Sequence, residues 1–575
     1  MSATETTAAS GREFLGHPRG LVILFFAEMW ERFSYYGMRA LLVLYLTQHW
    51  LMADAEAQGL YAAYAALVYL MPVAGGLIAD RLLGARKAVT IGALLLVFGH
   101  FTMAFEGQGG RQTLEVQGRQ YTVEAQGRDQ DRVVYAVSPD NVRTRVDISA
   151  EGLRADLPAG VRLDNALPAF TPTGAYTVTT TPDVAGQSVL FLALALIIVG
   201  VGFLKPNIST VVGSLYEEGD PRRDGGFTIF YVGINLGAFI SSLACAWLGI
   251  TYGWRYGFGL AGIGMLAGLA VFLWGQKWLE GRAEPPDEAR LKRKVAGVPF
   301  EAWVYIGGLV TVIPAWLLVQ RHEVVEVMLA WLAPAIFLVM FGYAGFVLRG
   351  ADRSRMMVAL ILIAFSVLFW TLFEQAGSSL TLFAERSTSL PNGFNAGMTQ
   401  SFNPLMIMIL GPLIAGLWVR LHRRGWEPST PTKFSLALIL VGGGFLLLVF
   451  AAATQAGADF RVPLIWLFLA YMLHTIGELC LSPVGLSMIT KLSLARVVGL
   501  MMGVWFLSSA LAHMLAGQIA ALTASETVAG VVVDPAAQLA TYAAVFGQIG
   551  WAGVVVGAVL LVFSPKLKDM MAGVR

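Results

Sequence analysis

The sequence is poor in charged residues, and this shortage indicates the class of protein. Only 14% of its 575 residues are charged, whereas soluble globular domains contain about 25%, and 56% are hydrophobic. Acidic and basic side chains nearly balance, with a formal net charge of +2, so the charge gives no reason to expect a nucleic acid partner. The composition predicts an integral membrane protein in contact with the lipid bilayer.

The sequence is also poor in cysteine, which many metal sites and the disulfide-bonded folds of secreted proteins need. Its two cysteines, Cys245 and Cys480, lie in apolar runs without metal-ligand spacing, so we interpret them as packing residues. The first twenty residues lack the basic segment, the apolar segment after it and the small-residue cleavage site of a secretory signal. Neither a metal-binding cluster nor a nucleophile–base arrangement is present in the sequence, so we expect no cofactor and no enzymatic activity.

Long apolar runs recur along the chain, and each is long enough to cross a bilayer of about 30 Å. They predict fourteen spans at 20–47, 60–80, 88–105, 188–215, 226–248, 255–276, 300–320, 326–348, 355–384, 399–419, 434–454, 463–489, 497–521 and 539–562.

The basic residues orient these spans. Clusters of Lys and Arg follow every even-numbered span, and the positive-inside rule places such loops in the cytoplasm. We therefore expect a multi-pass protein of the cell inner membrane with both termini cytoplasmic. The clusters lie within 81–87, 222–223, 277–294, 349–355, 420–433, 491–496 and 566–575.

One connector, 106–187, is long and not apolar enough to span. Its segments "RQTLEVQGRQYTVEAQG", "DRVVYAV" and "VRTRVDI" alternate polar and apolar residues, which is typical of short antiparallel strands. We predict a small β-rich insert outside the cytoplasm. A disordered insert is the alternative, and the Val, Tyr and Leu content argues against it.

The first span carries a polar face in an apolar helix. In "EMWERFSYYG", Glu28, Glu31, Arg32 and Tyr35 recur at helical spacing on one side, and Arg39 extends that side by a turn. Ionisable residues at membrane depth usually face a cavity and carry function.

Further ionisable residues lie in later spans of both halves. Lys205 precedes Pro206 in "FLKPNIS", Glu374 lies in "FWTLFEQAGSS", and Glu478 lies in "GELCLSP". Any one of these residues could hold two helices together, but a nearly balanced set of charges over four helices favours a transport pathway.

The sequence resembles the proton-dependent oligopeptide transporter (POT) family, a branch of the major facilitator superfamily. The resemblance rests on motifs in both halves, in order: "EMWERFSYYG", "GGLIADRLLGARKAV", "FLKPNIS", "FTIFYVGINLG", "FWTLFEQ", "QSFNP", "PTKF" and "GELCLSPVGLSMITKLS".

The resemblance implies an all-α membrane fold of two six-helix bundles with two extra helices between them. The implied segments are a cytoplasmic tail 1–19, an N-terminal bundle 20–276 with the insert 106–187, a cytoplasmic linker 277–299, the extra helices 300–348 and a C-terminal bundle 349–575. The insert departs from the family, whose bacterial members have a short connector there.

The implied function is import of dipeptides and tripeptides with protons, by a protein that works as a monomer. A symporter of nitrate or another small solute is an alternative in the same fold, and a membrane peptide sensor is an alternative of another class. Glu478 favours a ligand with an amine over an anion.

Residue roles follow from the resemblance and from peptide chemistry. Arg32 and Lys205 suit the peptide carboxylate, and Glu478 suits the amine. For proton coupling we expect Glu28, Glu31, Arg32 and Glu374. We expect Arg39–Glu374 to close the outer side and Lys205–Glu478 the inner side. We interpret His474, near Glu478, as a packing residue. The remaining peptide contacts are expected from Tyr35, Tyr36, Tyr69, Asn235, Trp370, Asn403, Ser482 and Trp505.

Overall fold

Long helices dominate the protein. The computed structural model describes residues 13–156, 167–217 and 219–573, so residues 1–12 of the predicted tail and 157–166 of the predicted insert lie outside the described residues. Helices are expected in lipid because each one satisfies its own backbone hydrogen bonds.

The helices are α1 Arg19–Gln48, α2 Asp54–Ile78, α3 Gly84–Met103, α4 Val184–Ser214, α5 Arg223–Tyr252, α6 Trp254–Gly275, α7 Glu288–Lys292, α8 Phe300–Val310, α9 Val312–Val319, α10 His322–Gly342, α11 Gly350–Phe373, α12 Ser379–Ser387, α13 Phe402–Arg423, α14 Thr430–Thr454, α15 Leu464–Leu492, α16 Val498–Ala521 and α17 Pro535–Met570.

The fourteen predicted spans are confirmed. Twelve helical segments of the described chain are long and apolar enough to cross a membrane. One of them, Asp54–Met103, contains both α2 and α3, and α1 is a further 30-residue helix that carries five charged side chains. Two predicted spans are interrupted, because α8 and α9 form one segment and α11 and α12 form another.

The interruption between α11 and α12 lies at a predicted functional residue. A 3₁₀ turn, Glu374–Gly377, separates the two helices. Gly377 is required there, since a Cβ at this position would overlap the Tyr61 hydroxyl and approach the Arg39 guanidinium. Short 3₁₀ stretches inside a helix often mark hinges.

The helices pack into two halves, α1–α6 and α11–α17. In the first half α1 packs on α5 and α6, and α3 packs on α4; in the second half α14 packs on α15 and α17. The halves meet where α2 packs on α16 and α5 packs on α13. Helix α10 contacts α2 and α16, so it touches both halves.

The predicted β-rich insert is confirmed as one antiparallel sheet of seven strands. Leu114, Tyr121, Val146 and Leu153 belong to its own small hydrophobic core. In sheet order the strands are Phe170–Pro172, Gly152–Asp156, Arg143–Ser149, Val133–Val137, Arg119–Gln126, Arg111–Val116 and Tyr176–Thr181.

Candidate functional site

The polar face of α1 is buried among the helices. Glu28, Glu31 and Arg32 each expose 5% of their surface or less. Arg32 Nε lies 3.1 Å from a Glu28 carboxylate oxygen and also pairs with Glu31. The Arg32 guanidinium carbon lies 5.4 Å from the centre of the Tyr35 ring. One buried cation therefore faces two carboxylates of its own helix.

Arg39 joins the two halves through Glu374. Its Nη2 lies 2.6 Å from Glu374 Oε2, and its Nε donates a 2.8 Å hydrogen bond to the Tyr61 hydroxyl. Arg39 exposes 9% and Glu374 5% of its surface. The Tyr36 ring centre lies 5.8 Å from the Arg39 guanidinium carbon. The pair predicted from the sequence is thus brought together, and a buried charge-assisted contact of this kind is strong.

Lys205 has an aromatic partner. In the described part of the chain it forms no ion pair, and its Nζ lies 3.9 Å from the centre of the Tyr69 ring. The next residue, Pro206, lies inside α4 and removes one backbone donor from that helix. The ammonium therefore rests on an aromatic face, an arrangement that attracts a cation while leaving it available to an anion.

Glu478 is paired with an amide. Asn403 Nδ2 donates a 2.8 Å hydrogen bond to Glu478 Oε2, and lies 3.1 Å from Thr475 Oγ1. The structure does not bring Lys205 and Glu478 together as an ion pair, since Lys205 lies over Tyr69. The predicted inner pair is absent from this conformation, and its formation in another one stays a prediction.

Five of the side chains that are predicted to contact the peptide are half-buried within long helices. Tyr36, Tyr69, Trp370, Ser482 and Trp505 all fall in this class. The Trp370 ring packs edge-on against the rings of its neighbours Phe369 and Phe373.

The Asn235 side chain forms a hydrogen bond within its own helix. It is buried, and its Nδ2 donates a 2.9 Å hydrogen bond to the Tyr231 carbonyl oxygen one turn earlier. Its carbonyl oxygen and a second amide hydrogen remain for another partner.

Buried polar contacts lie at one end of the bundle. At the end that carries the seven-stranded sheet, here called the insert end, Arg386 binds Asp54 bidentately at 2.5 and 2.8 Å. Gln48 Nε2 lies 2.5 Å from Glu385 Oε1 at the same end. These contacts join α12 to α1 and to α2. The insert end is therefore closed by buried polar contacts, together with Arg39–Glu374.

Sequence reasoning missed several residues of this network, and His513, Asp54 and Arg386 are the most important of them. His513 Nε2 lies 3.9 Å from Glu374 Oε1, and its ring centre lies 4.6 Å from that of Tyr69. Asp54 and Arg386 were overlooked because they lie at span ends, where charged residues are common. His513 carried a weak signal: it is an ionisable residue inside a predicted span.

A bundle of fourteen spans whose two halves are joined by buried ion pairs has the architecture of a secondary transporter. The chain belongs to the POT family, whose model matches residues 86–540, and the resemblance drawn from the motifs is confirmed.

The similar proteins cover almost the whole chain. An uncharacterized transporter, YclF, of Bacillus subtilis (strain 168) is 33% identical, over 98% of this chain and 96% of that protein. Dipeptide and tripeptide permease A of Edwardsiella piscicida is 32% identical, over 97% of this chain and 96% of the permease. A crystal structure of a mutant POT peptide transporter in complex with alafosfalin matches with a TM-score of 0.72 at 32% identity, over 98% of this chain and 97% of that one.

Proposed function

We propose that the protein is a proton-coupled symporter that imports dipeptides and tripeptides across the cell inner membrane by alternating access. The observation that carries this proposal is the division of charge between the halves. The cations Arg32 and Lys205 belong to α1 and α4, and the Glu478 carboxylate belongs to α15. A zwitterionic peptide offers one group to each half. The permease relatives support this substrate class.

Peptide recognition uses the two termini. Arg32 offers a planar fork and Lys205 a point charge to the peptide carboxylate. Glu478 takes the amine and is oriented by Asn403, which also reaches the peptide backbone together with Asn235. Gripping the ends leaves the side chains free to vary.

The walls are broad and amphipathic. Aromatic rings accept varied side chains because they offer apolar faces and a polar edge. All of the side chains proposed here except the buried Tyr35 are partly exposed within long helices, which supports open space beside them. The proposed wall residues are Tyr35, Tyr36, Tyr69, Trp370, Ser482 and Trp505.

Proton coupling follows from the state-dependent ion pairs. An arginine partner favours an ionised carboxylate, and loss of the partner favours a protonated one. Glu374 keeps Arg39 while the insert end is closed and loses it when the halves separate there. Glu28 and Glu31 share one cation, Arg32, so a peptide carboxylate that takes Arg32 leaves them ready for a proton. Lys205 and Glu478 pair when the opposite end closes.

The orientation and assembly complete the proposal. Both termini lie in the cytoplasm, the insert end faces outward, and the protein works as a monomer. The proton supplies the moving charge, since the peptide is neutral overall. One charge crossing 100 mV releases ~2.3 kcal/mol, which sustains roughly fifty-fold accumulation at ~1.4 kcal/mol per factor of ten.

The test is uptake of labelled dialanine into proteoliposomes under an inward proton gradient. We expect accumulation above equilibration only with the gradient, and competition by dipeptides and tripeptides but not by single amino acids or nitrate. Gradient-driven accumulation of nitrate instead of peptide would favour the small-solute alternative. Peptide binding without any uptake would favour a sensor.

A further inference from the structure

His513 is a buried histidine that the mechanism above does not use. It lies on α16 and exposes 4% of its surface. Its Nε2 is 3.9 Å from Glu374 Oε1, and its ring packs against Tyr69, which carries Lys205 on its face. It therefore stands between the carboxylate that joins the halves and the aromatic ring that holds the other cation.

The two oxygens of Glu374 face partners on different halves. Oε2 lies 2.6 Å from Arg39 on α1, and Oε1 faces His513 on α16. Helix α16 packs directly on α11 and on the 3₁₀ turn that contains Glu374. When the halves separate at the insert end, Arg39 leaves with the first half, whereas His513 moves together with Glu374.

We propose that His513 is the positioning residue that holds Glu374 after Arg39 has left, so that the entering proton is shared between His513 Nε2 and Glu374 Oε1. This inference rests on the proposed function and deepens it. One proton enters from the outer solution, no bond other than that to the proton forms or breaks, and the pair gains one positive charge. When the outer side closes and the inner side opens, Arg39 returns to Glu374 and the proton leaves the pair for the inner solution.

The surroundings leave few other candidates for this role. The charged groups that act on His513 are Glu374, Arg39 and Lys205. Tyr69 lies against its ring, and Tyr61 is bound to Arg39.

Two carboxylates of the other packed helices are engaged elsewhere. Within the described chain, Glu326 of α10 pairs with Gln518, and Glu478 of α15 pairs with Asn403. Among the residues that the structure describes, Glu374 alone places a carboxylate oxygen within 4 Å of His513.

The first test compares His513→Gln and His513→Asn with His100→Gln. His100 is a matched control because it is equally buried, lies on α3 and has no ion pair among the described residues. Proton-driven dialanine accumulation and gradient-free counterflow are measured from about pH 5.5 to 8, with equal amounts of monodisperse protein.

We expect both His513 variants to lose driven accumulation by about tenfold or more near pH 7, with a changed pH profile and with counterflow within about twofold of the wild type. His100→Gln should keep both activities. Unchanged driven uptake and pH profile would overturn the proposal. Joint loss of driven uptake and counterflow in folded protein would also overturn it, since that is the result of a packing role.

A second readout does not depend on transport. In protein with ¹⁵N-labelled histidine, the His513 signal is assigned by its loss in His513→Gln. We expect Arg39→Gln to place a second proton on the His513 ring near neutral pH, and Arg39→Gln with Glu374→Gln to remove it. A ring that is unaffected by Arg39→Gln would overturn the inference. Failure of the wild type to accumulate peptide would overturn the proposed function, and this spectrum would still decide the role of His513.

Discussion

One buried cluster on α1 holds two carboxylates and a single cation. Glu28 and Glu31 share Arg32, and all three are almost fully buried. Burying charge is costly, and a pair that only joined helices could be replaced by apolar residues at little loss. An unequal cluster instead suits a site that takes up a proton and a peptide carboxylate in turn.

The first prediction concerns this cluster. Glu28→Gln, Glu31→Gln and Arg32→Lys should each abolish proton-driven accumulation, because coupling needs a carboxylate whose protonation depends on its cation. At least one of them should retain counterflow, since exchange needs no net proton movement. Proteoliposome assays at equal amounts of purified protein measure both.

A purely structural role predicts a different outcome. Removing one partner of a buried pair costs about 3–5 kcal/mol, so folding and both activities should then fall together. Parallel loss of counterflow and driven uptake in all three variants would contradict the coupling assignment.

The second prediction concerns Glu478. Glu478→Gln should weaken transport of dipeptides with a free amine by about tenfold or more, and of amine-blocked dipeptides far less, because it removes one charge partner of the amine. Counterflow with each substrate measures the difference. Glu323→Gln, an exposed acid at the start of α10, is the control. Equal loss for both substrates would remove Glu478 from the amine site.

At the scale of elements, the 3₁₀ turn beside α11 makes closure of the insert end depend on one glycine. Tyr61 and Arg39 occupy the space that a Cβ on Gly377 would need. The third prediction is that Gly377→Ala weakens the Arg39–Glu374 contact and loosens the insert end. Hydrogen exchange in segment 384–401 should become faster.

The control is Gly342→Ala in α10, where a Cβ would meet no atom within 4 Å. This variant should exchange like the wild type. If hydrogen exchange in Gly377→Ala equals that of the wild type, the turn accommodates the added methyl group without loosening the insert end. Closure of that end would then not depend on Gly377.

The insert is a second element that bridges the halves at this end. Arg132 Nη2 donates a 2.6 Å hydrogen bond to the Gln48 carbonyl oxygen of the first half, and its Nε donates to the Ala529 carbonyl oxygen of the second. Gln130 Nε2 donates to the Glu385 and Thr388 carbonyl oxygens at 2.7 and 2.8 Å. The insert must release one half whenever the insert end opens.

Asp129 makes this docking depend on pH. Its backbone adopts a φ of 54°, and its carboxylate accepts a 3.1 Å hydrogen bond from the Ala396 N–H in the second half. Burial, and after it the nearby Glu385 carboxylate, raise the pKa of Asp129 to about 8, although the hydrogen bond from Ala396 and the charge of Arg461 act in the opposite direction. On release into water the pKa returns towards its ordinary value of 3.8.

The sign follows from linkage. Between pH values of about 4 and about 8, Asp129 is protonated in the docked insert and ionised in the released insert. Docking therefore takes up a proton, and it becomes weaker as the pH rises through this range. Above and below this range, Asp129 has the same charge in both states and docking no longer changes with pH. The fourth prediction is that exchange in segment 384–396, corrected for intrinsic rate, is faster near pH 7.5 than near pH 5.5.

Asp129→Asn should remove most of this pH dependence. Asparagine tolerates a positive φ and keeps an acceptor for the Ala396 N–H, but it does not titrate. A pH dependence that survives in Asp129→Asn would assign it to another group.

At the scale of the whole molecule, the apolar runs were enough to predict fourteen spans, and period-two alternation was enough to predict the strands of the insert. Both signals are local. The pair Arg39–Glu374 was predicted from the motifs that carry the family resemblance. The break at Gly377 and the contact of His513 were not predicted, because each depends on a residue from a distant helix that the sequence does not place beside it.

The sequence also could not predict which of the two ion pairs is formed in the structure. The same charges permit Arg39–Glu374 or Lys205–Glu478, and the structure shows the first pair formed and the second apart. Packing at the insert end, with Arg386–Asp54 and the docked sheet, favours that choice.

In the proposed mechanism, peptide and proton cross the membrane together. The most direct measurement uses proteoliposomes with a pH-sensitive dye inside and an inside-negative potential, to which dialanine is added. We expect the lumen to acidify only after peptide is added, in step with labelled peptide uptake, and we expect Glu374→Gln to abolish the acidification. Peptide uptake without acidification in the wild type would contradict this mechanism.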